Sequence, residues 1–389
     1  MTPQTASRLQ RFTESIIRDM TRIADQYDAV NLSQGFPDFE PPRELVRAAV
    51  QALQSGHNQY GLTWGTPSFR KALAQKAGRF MNLSLDPETE ITATCGSTEA
   101  MLAALMAVVN PGESVILFSP VYENYLPDTI LAGAEPIYVP LYPPEYTYDP
   151  QELRGAFQRT GAKALILCNP SNPTGKVFTL EELSFIANLA YEFDAFVITD
   201  EVYEHIVYPP HKHIHMASLP DMFQRTITCS SLSKTYAVTG WRVGYTIAPA
   251  KITEGIRKVH DYLTIGAPTP LQEAAVTALQ FPNSYYQTLR EEYTRRRDLF
   301  LGYLDRVGLE YTKPQGAYYV MVDVSHIQME DDTSFCYWLA REIGVAAVPG
   351  DSFYPYLNSP TGTIRLHFAK SEDLLMEAGE RLLRLDQYT

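Results

Sequence analysis

The sequence predicts an α/β protein: a large unit built on a mostly parallel sheet sandwiched by helices, joined to a smaller α+β unit. Three observations lead there. Between about residues 90 and 250, short apolar runs alternate with amphipathic stretches, as in repeated strand–helix units with helices on both faces of the sheet. After about residue 280 the alternation gives way to a long charged helix and shorter mixed elements. The length of 389 residues exceeds what one ordinary core supports and suits two domains. The expected division is 40–280 for the large domain, with 1–39 (an N-terminal arm) and 281–389 forming the small one.

Taken in chain order, Thr66 before Pro67 marks a helix start, because proline is tolerated at the first helical position. Gly96-Ser97-Thr98 open a helix running through Val109. The strands are expected at Ser114 to Phe118, Pro136 to Leu141, Ala164 to Cys168, Phe196 to Thr199, Thr226 to Ser230 and Val243 to Ile247. Thr179 with Glu182 three residues on reads as a capping box for a helix through Tyr191. Beyond residue 280 come a helix over Leu289 to Val307, a strand over Ala317 to Val322, and helices over Ser334 to Ile343 and Leu374 to Leu385. No internal repeat, low-complexity tract or long linker interrupts the chain.

A net charge of −13 argues against a phosphate-backbone partner, so no nucleic-acid role is expected. Met1 to Met20 carries Arg8, Arg11, Glu14, Arg18 and Asp19 and lacks the apolar stretch of a signal peptide. Nowhere do about 18 apolar residues run together, so no membrane span is expected and the protein reads as cytoplasmic. Cys95, Cys168, Cys229 and Cys336 are far apart and read as buried reduced thiols. His211, His213 and His215 alternate, but one strand face rarely completes a coordination shell and no carboxylate flanks them; a solvated loop without metal is expected.

The chemistry gathers at strand ends. Asn172, Asp200 and Lys234 each stand at or just past an apolar run, and in an open parallel sheet such positions share the edge where ligands bind. A lysine amine, with a pKa near 10.4, becomes a useful nucleophile only when desolvation or a nearby cation lowers that value. Ser231, Ser233 and Arg242 flank Lys234 with hydroxyls and a planar cation, which is what a phosphate needs. Gly96, Ser97 and Thr98 at a helix start add free backbone N–H groups and a partial positive charge.

These segments, with Asn31-Leu32-Ser33-Gln34-Gly35-Phe36-Pro37-Asp38, Asn58-Gln59-Tyr60, Asn169-Pro170-Ser171-Asn172-Pro173-Thr174-Gly175, Asp200-Glu201-Val202-Tyr203 and Ile364-Arg365-Leu366, resemble the pyridoxal-phosphate-dependent aminotransferases of fold type I, class I/II, over nearly the whole chain. The resemblance implies that Lys234 holds pyridoxal 5'-phosphate as a Schiff base and then moves a proton between the substrate Cα and the cofactor. It implies that Asp200 pairs with the ring nitrogen, Tyr203 and Asn172 bond the phenolic oxygen, and Tyr122 stacks on the ring. Gly96, Ser97, Thr98, Ser231, Ser233 and Arg242 would hold the phosphate. Arg365 would grip the substrate α-carboxylate, with Gly35 allowing close approach, and Asn172 would also face the substrate. Tyr60 would reach the phosphate of a neighbouring subunit, implying a homodimer with shared sites. A cis Asn172-Pro173 bond is expected.

The implied reaction is ping-pong transfer from an L-amino acid to a 2-oxo acid. Gln34-Gly35-Phe36-Pro37-Asp38-Phe39 and Asp200-Glu201-Val202-Tyr203-Glu204 look most like the kynurenine, glutamine and methionine aminotransferases, favouring an aromatic, sulfur-containing or glutamine-like donor. Thr98 stands where many of those relatives carry a tyrosine, and Ile265-Gly266 replace a bulkier aromatic pair; both departures fall near the side-chain pocket. A carbon–sulfur β-lyase is the rival on the same scaffold. A regulatory protein with an aminotransferase-like domain is the rival of another class, disfavoured because the family-like region begins by about residue 30 and leaves no room for a DNA-binding module.

Overall fold

The computed structural model describes residues 5–388 apart from 328 and 358. In chain order the regular elements begin with α1 (Ile16–Tyr27), β1 (Val30–Asn31), α2 (Arg43–Gln54), α3 (Pro67–Phe80), β2 (Ile91–Thr94) and α4 (Gly96–Val108). Then follow β3 (Ser114–Ser119), α5 (Tyr125–Leu131), β4 (Glu135–Pro140), α6 (Pro150–Thr160), β5 (Ala164–Cys168), α7 (Leu180–Glu192), β6 (Phe196–Asp200) and β7 (Thr226–Ser231). The chain continues through β8 (Gly244–Ile247), α8 (Ala250–Leu263), α9 (Thr269–Leu279), α10 (Asn283–Val307) and β9 (Tyr319–Asp323). It closes with α11 (Asp332–Trp338), β10 (Val345–Ala346), β11 (Val348–Pro349), β12 (Thr363–His367) and α12 (Glu372–Leu382).

The main sheet has the order β2-β8-β7-β6-β5-β3-β4. Its pairs from β7 to β4 are parallel, and β8 alone runs antiparallel, to β7 and β2. This is the expected α/β class. Strands β3, β5, β6 and β7 are almost continuously buried, as a sheet covered on both faces requires. Two apolar clusters pack on it: one runs from Ile116 and Leu165 to Leu183 and Leu189, the other from Leu105 and Leu117 to Ile198 and Ile256.

Local chemistry sets the helix starts. The side chain of Thr179 accepts from Glu182 N at 3.2 Å while Glu182 accepts from Thr179 N at 2.8 Å, completing the capping box, an arrangement worth about 1 kcal/mol. Thr66 caps α3 by accepting from Phe69 N, with Pro67 at the first helical position. The Asn172-Pro173 bond is cis, as expected. The long helix α10 begins at Asn283, a turn and a half before Leu289, because Pro282 ends the preceding segment and its helix-compatible φ launches the first turn.

A second sheet, β11-β12-β9, is antiparallel, and β1 pairs in parallel with β10 through Val30↔Val345 and Asn31↔Ala346. One cluster joins Met20, Val30 and Leu32 to Phe300, Leu304, Val322, Leu366 and Leu382. Among the described residues no helix is long and apolar enough to cross a membrane. Cys229 and Cys336 are buried, whereas Cys95 and Cys168 are only half-buried, a correction to the expectation for those two thiols. Both lie at ligand-facing strand ends, where the sheet opens.

Candidate active site

The carboxyl ends of the parallel strands open onto a cleft of about 730 Å³. Asn172, Asp200 and Lys234 meet there, as the strand-end reasoning expects. Lys234 follows β7, and its Nζ donates to the carbonyl of Gly35 at 3.1 Å. Burial lowers its pKa to about 8; the Asp200 carboxylate opposes this, while the charges of Arg242 and Arg365 reinforce it.

Asp200 ends β6 and is 5% exposed. Its Oδ2 accepts from the Tyr125 hydroxyl at 2.8 Å and its Oδ1 from Val202 N at 3.3 Å. Burial pushes its pKa up to about 6, and those two hydrogen bonds limit the rise. A carboxylate held in this way suits a cationic partner in the cleft.

At one side of the cleft, Gly96 opens α4 at φ +82°, and an added Cβ would strike the Arg242 guanidinium. Gly244, paired with Ser231 across β7 and β8, presses in turn on the Gly96 backbone. Glycine at both places lets Arg242 lie against the start of α4 beside Ser231. Ser97, Thr98, Ser231, Ser233 and Arg242 all line the cleft, so hydroxyls, a guanidinium and free helix-start N–H groups converge as an anion cradle. Tyr122 lines the cleft too, its ring edge-on to Tyr125 at 5.4 Å.

Arg365 lies on β12, is fully buried, and stacks over the Tyr319 ring at 4.3 Å. Its Nη1 donates to Asn172 Oδ1 at 2.7 Å and its Nη2 to the Ser33 carbonyl at 2.6 Å, while Nε is buried without a partner. With five N–H donors on a guanidinium, three remain for an incoming acceptor. Gly35 is a close-approach glycine, but against a ring: an added Cβ would strike Tyr319. Tyr203 lines the cleft and its hydroxyl meets that of Tyr319 at 2.9 Å.

Tyr60 does not line the cleft of this chain; it is 85% exposed. The sequence reading missed Tyr125, Tyr319 and Asp128. Tyr125 follows Tyr122 by three residues, and the turn leading into α5 brings the two rings edge-on; a second tyrosine so close to the first was the available signal. Asp128, one turn further along α5, has a buried Oδ2 without a partner, and burial next to the Asp200 charge pushes it up to about 8.

The solvated histidine loop is overturned. The side chains of His213 and His215 are each only 7% exposed and both contact the carboxylate of Glu201, which the fold brings from the end of β6. His211 remains half-exposed. The loop is seated at the strand ends, where Asn169 donates to the Ile214 carbonyl at 3.4 Å, and polar rings buried there need a partner.

The cleft fits pyridoxal phosphate: a depressed-pKa lysine, a buried carboxylate and an anion cradle stand around one space, with a partly satisfied arginine at its far wall. Comparison with known proteins agrees. Residues 27–382 match the family described as aminotransferase class I and II. The methionine aminotransferase of Escherichia coli strain K12 is 39% identical over 97% of this chain and 98% of its own length. Human kynurenine–oxoglutarate transaminase 1 is 36% identical over 94% of each. The solved structure of N-succinyldiaminopimelate aminotransferase from Mycobacterium tuberculosis superposes with a TM-score of 0.93 at 36% identity, covering 98% of this chain and 100% of that one.

Proposed function

The chain belongs to the aminotransferase class I and II family, and from that premise we propose that it transfers the amino group of an aromatic or sulfur-containing L-amino acid to a 2-oxo acid. It is a pyridoxal-phosphate-dependent transaminase of fold type I. The observation that supports the site assignment is the meeting of Lys234, Asp200 and Arg365 in one cleft.

When bound, pyridoxal phosphate supplies an aldehyde to take up the amino group and a ring to withdraw the electron pair left on Cα. Lys234, poised near neutrality, binds at that aldehyde and carries the proton to and from Cα. Asp200 would accept from the ring nitrogen and hold it protonated, its own charged form being favoured by the Tyr125 hydroxyl that donates to it. The unused N–H groups of Arg365 hold the α-carboxylate and thereby orient Cα. The amide nitrogen of Asn172, not used in the Arg365 contact, and the Tyr203 hydroxyl would serve as the donors to the phenolic oxygen. Tyr122 would cover the ring, and the α4 cradle with Ser231, Ser233 and Arg242 would hold the phosphate.

Ile17, Phe36, Met101 and Leu263 give the cleft apolar walls, which supports an apolar donor side chain, as do relatives named for methionine and kynurenine. A cytoplasmic homodimer is part of the proposal. Tyr60, Leu62, Tyr262 and Ile265 are exposed apolar residues, and Gly61 and Gly266 bring their two segments together, the surface a second copy would cover. We likewise retain 40–280 and 1–39 with 281–389 as the two domains; the apolar cluster around α10 and β9 draws most of its residues from 1–39 and 281–389, with Val202, Tyr203, Ile206 and Tyr208 joining it from the large domain.

Single-turnover half-reactions with each amino acid, read by loss of the bound cofactor's visible absorbance, test the donor. Methionine and the aromatic amino acids should react at least about tenfold faster than aspartate, the difference that roughly 1.4 kcal/mol of side-chain burial provides. Faster reaction with aspartate would overturn the donor assignment. Pyruvate and ammonia released from cystathionine without an oxo acid would move the chain to the β-lyases.

A further inference from the structure

Outside the cleft, Glu201, His213 and His215 bring three donor atoms to one point, and we propose that they form a binding site for a divalent transition metal of the zinc type. None of the three lines the active-site cleft. His213 Nε2 lies 3.2 Å from Glu201 Oε2 and 3.2 Å from His215 Nδ1. Glu201 Oε2 and His215 Nδ1 lie closer still, in direct hydrogen-bond contact. With metal–nitrogen distances of about 2.0–2.1 Å, the donors of a tetrahedral site sit about 3.3 Å apart. Two of the three edges already have that length, and the third opens when an ion replaces the shared proton.

Charge points the same way. Glu201 is 1% exposed, and among the described residues its carboxylate pairs with imidazoles and with no lysine or arginine. The nearby Lys76 is committed to Glu204, with both carboxylate oxygens at 2.7 and 2.8 Å. A buried carboxylate requires a compensating charge. A proton on one imidazole supplies that charge but leaves the second ring's lone pair unused, whereas a divalent ion takes all three lone pairs together.

The surroundings also fit. His215 turns Nδ1 to the centre and places Nε2 on the side of Glu204, 3.7 Å from its Oε2, a charge contact beyond hydrogen-bond length. His213 Nδ1, on the far side of its ring, is buried without a partner, which leaves Nε2 as the atom turned to the centre. Two imidazoles and one carboxylate suit zinc, cobalt or nickel over magnesium or calcium, with a fourth position for water. Such an ion would tie the loop carrying His213 and His215 to Glu201, the residue after Asp200, as a brace behind the cleft wall and outside the cleft itself.

The test uses the cofactor-loaded enzyme, treated with EDTA and dialysed, then titrated with zinc chloride by calorimetry in a thiol-free buffer. Wild type and a His211→Ala control should bind one equivalent per chain, and His213→Ala should bind at least about tenfold more weakly, the minimum that loss of a ligand or its backing causes. Zinc should raise the melting temperature of wild type and leave that of His213→Ala unmoved. Absence of saturable binding in wild type, or equal binding by His213→Ala, overturns the proposal; the latter assigns the zinc to the cleft thiols or surface groups. His213 sits on a loop rather than a strand, so this variant reports even where Glu201→Gln fails to fold.

Discussion

The Tyr125 hydroxyl donates to Asp200 at 2.8 Å, tying the first turn of α5 to the last residue of β6. This neutral donor, with Val202 N, stabilises the charged form of a carboxylate that burial pushes towards protonation.

Tyr125→Phe keeps the ring and removes the donor, so the proton affinity of Asp200 rises. A hydrogen bond to a charged group contributes about 1.5–3 kcal/mol, which corresponds to a roughly tenfold or greater fall in turnover. The acid limb of the kcat/KM profile should move to higher pH in stopped-flow assays. An unchanged profile would detach Tyr125 from the function of Asp200.

Arg365→Lys retains a positive charge but loses the fork and its bonds to Asn172 and Ser33. With about 3 kcal/mol or more of carboxylate binding lost, kcat/KM for amino donors should fall at least about 100-fold. The absorbance spectrum of the bound cofactor should stay as in wild type, since Arg365 acts on substrate. A spectrum altered as strongly as the kinetics would instead mark a collapse of the cleft.

Lys234 gives a stability prediction in the cofactor-free protein. Its folded pKa, about 8, lies below its unfolded value near 10.4. Between those values the unfolded chain binds the extra proton, so this lysine's contribution is fully favourable above the unfolded pKa and is lost as pH falls through about 8. Lys234→Met should therefore be more stable than wild type at pH 7, with the advantage shrinking between pH 8 and 10.5. Urea unfolding at three pH values measures it, and a pH-independent difference would contradict burial of the amine as the cause.

The sheet was legible because its strands are apolar runs whose burial on both faces leaves a compositional trace; Ala164–Cys168 appears with the expected ends. Strand β2 was not, since Ile91-Thr92-Ala93-Thr94 carries two buried threonines and reads as polar. The direction of β8 was hidden too, because an apolar run does not encode which way it runs. Of the site, the strand-end residues and the glycine-started helix were visible, since their roles follow from position along one segment. Tyr319, Tyr125 and the Glu201 partnership of His213 and His215 were not: each depends on two segments meeting, and spacing within either one is silent about the other.

Ser33 and Arg365 are bonded across 332 residues of chain, and Gly35 reaches Lys234 across 199. During synthesis the anion cradle and the lysine therefore leave the ribosome well before the arginine that receives the carboxylate. The opening segment must wait, its Ser33 carbonyl without that partner, until β12 emerges. A chain made only as far as the turn before Thr363 would already contain Lys234 and the anion cradle, yet Ser33 and Asn172 would wait without the guanidinium that completes the grip on an amino acid.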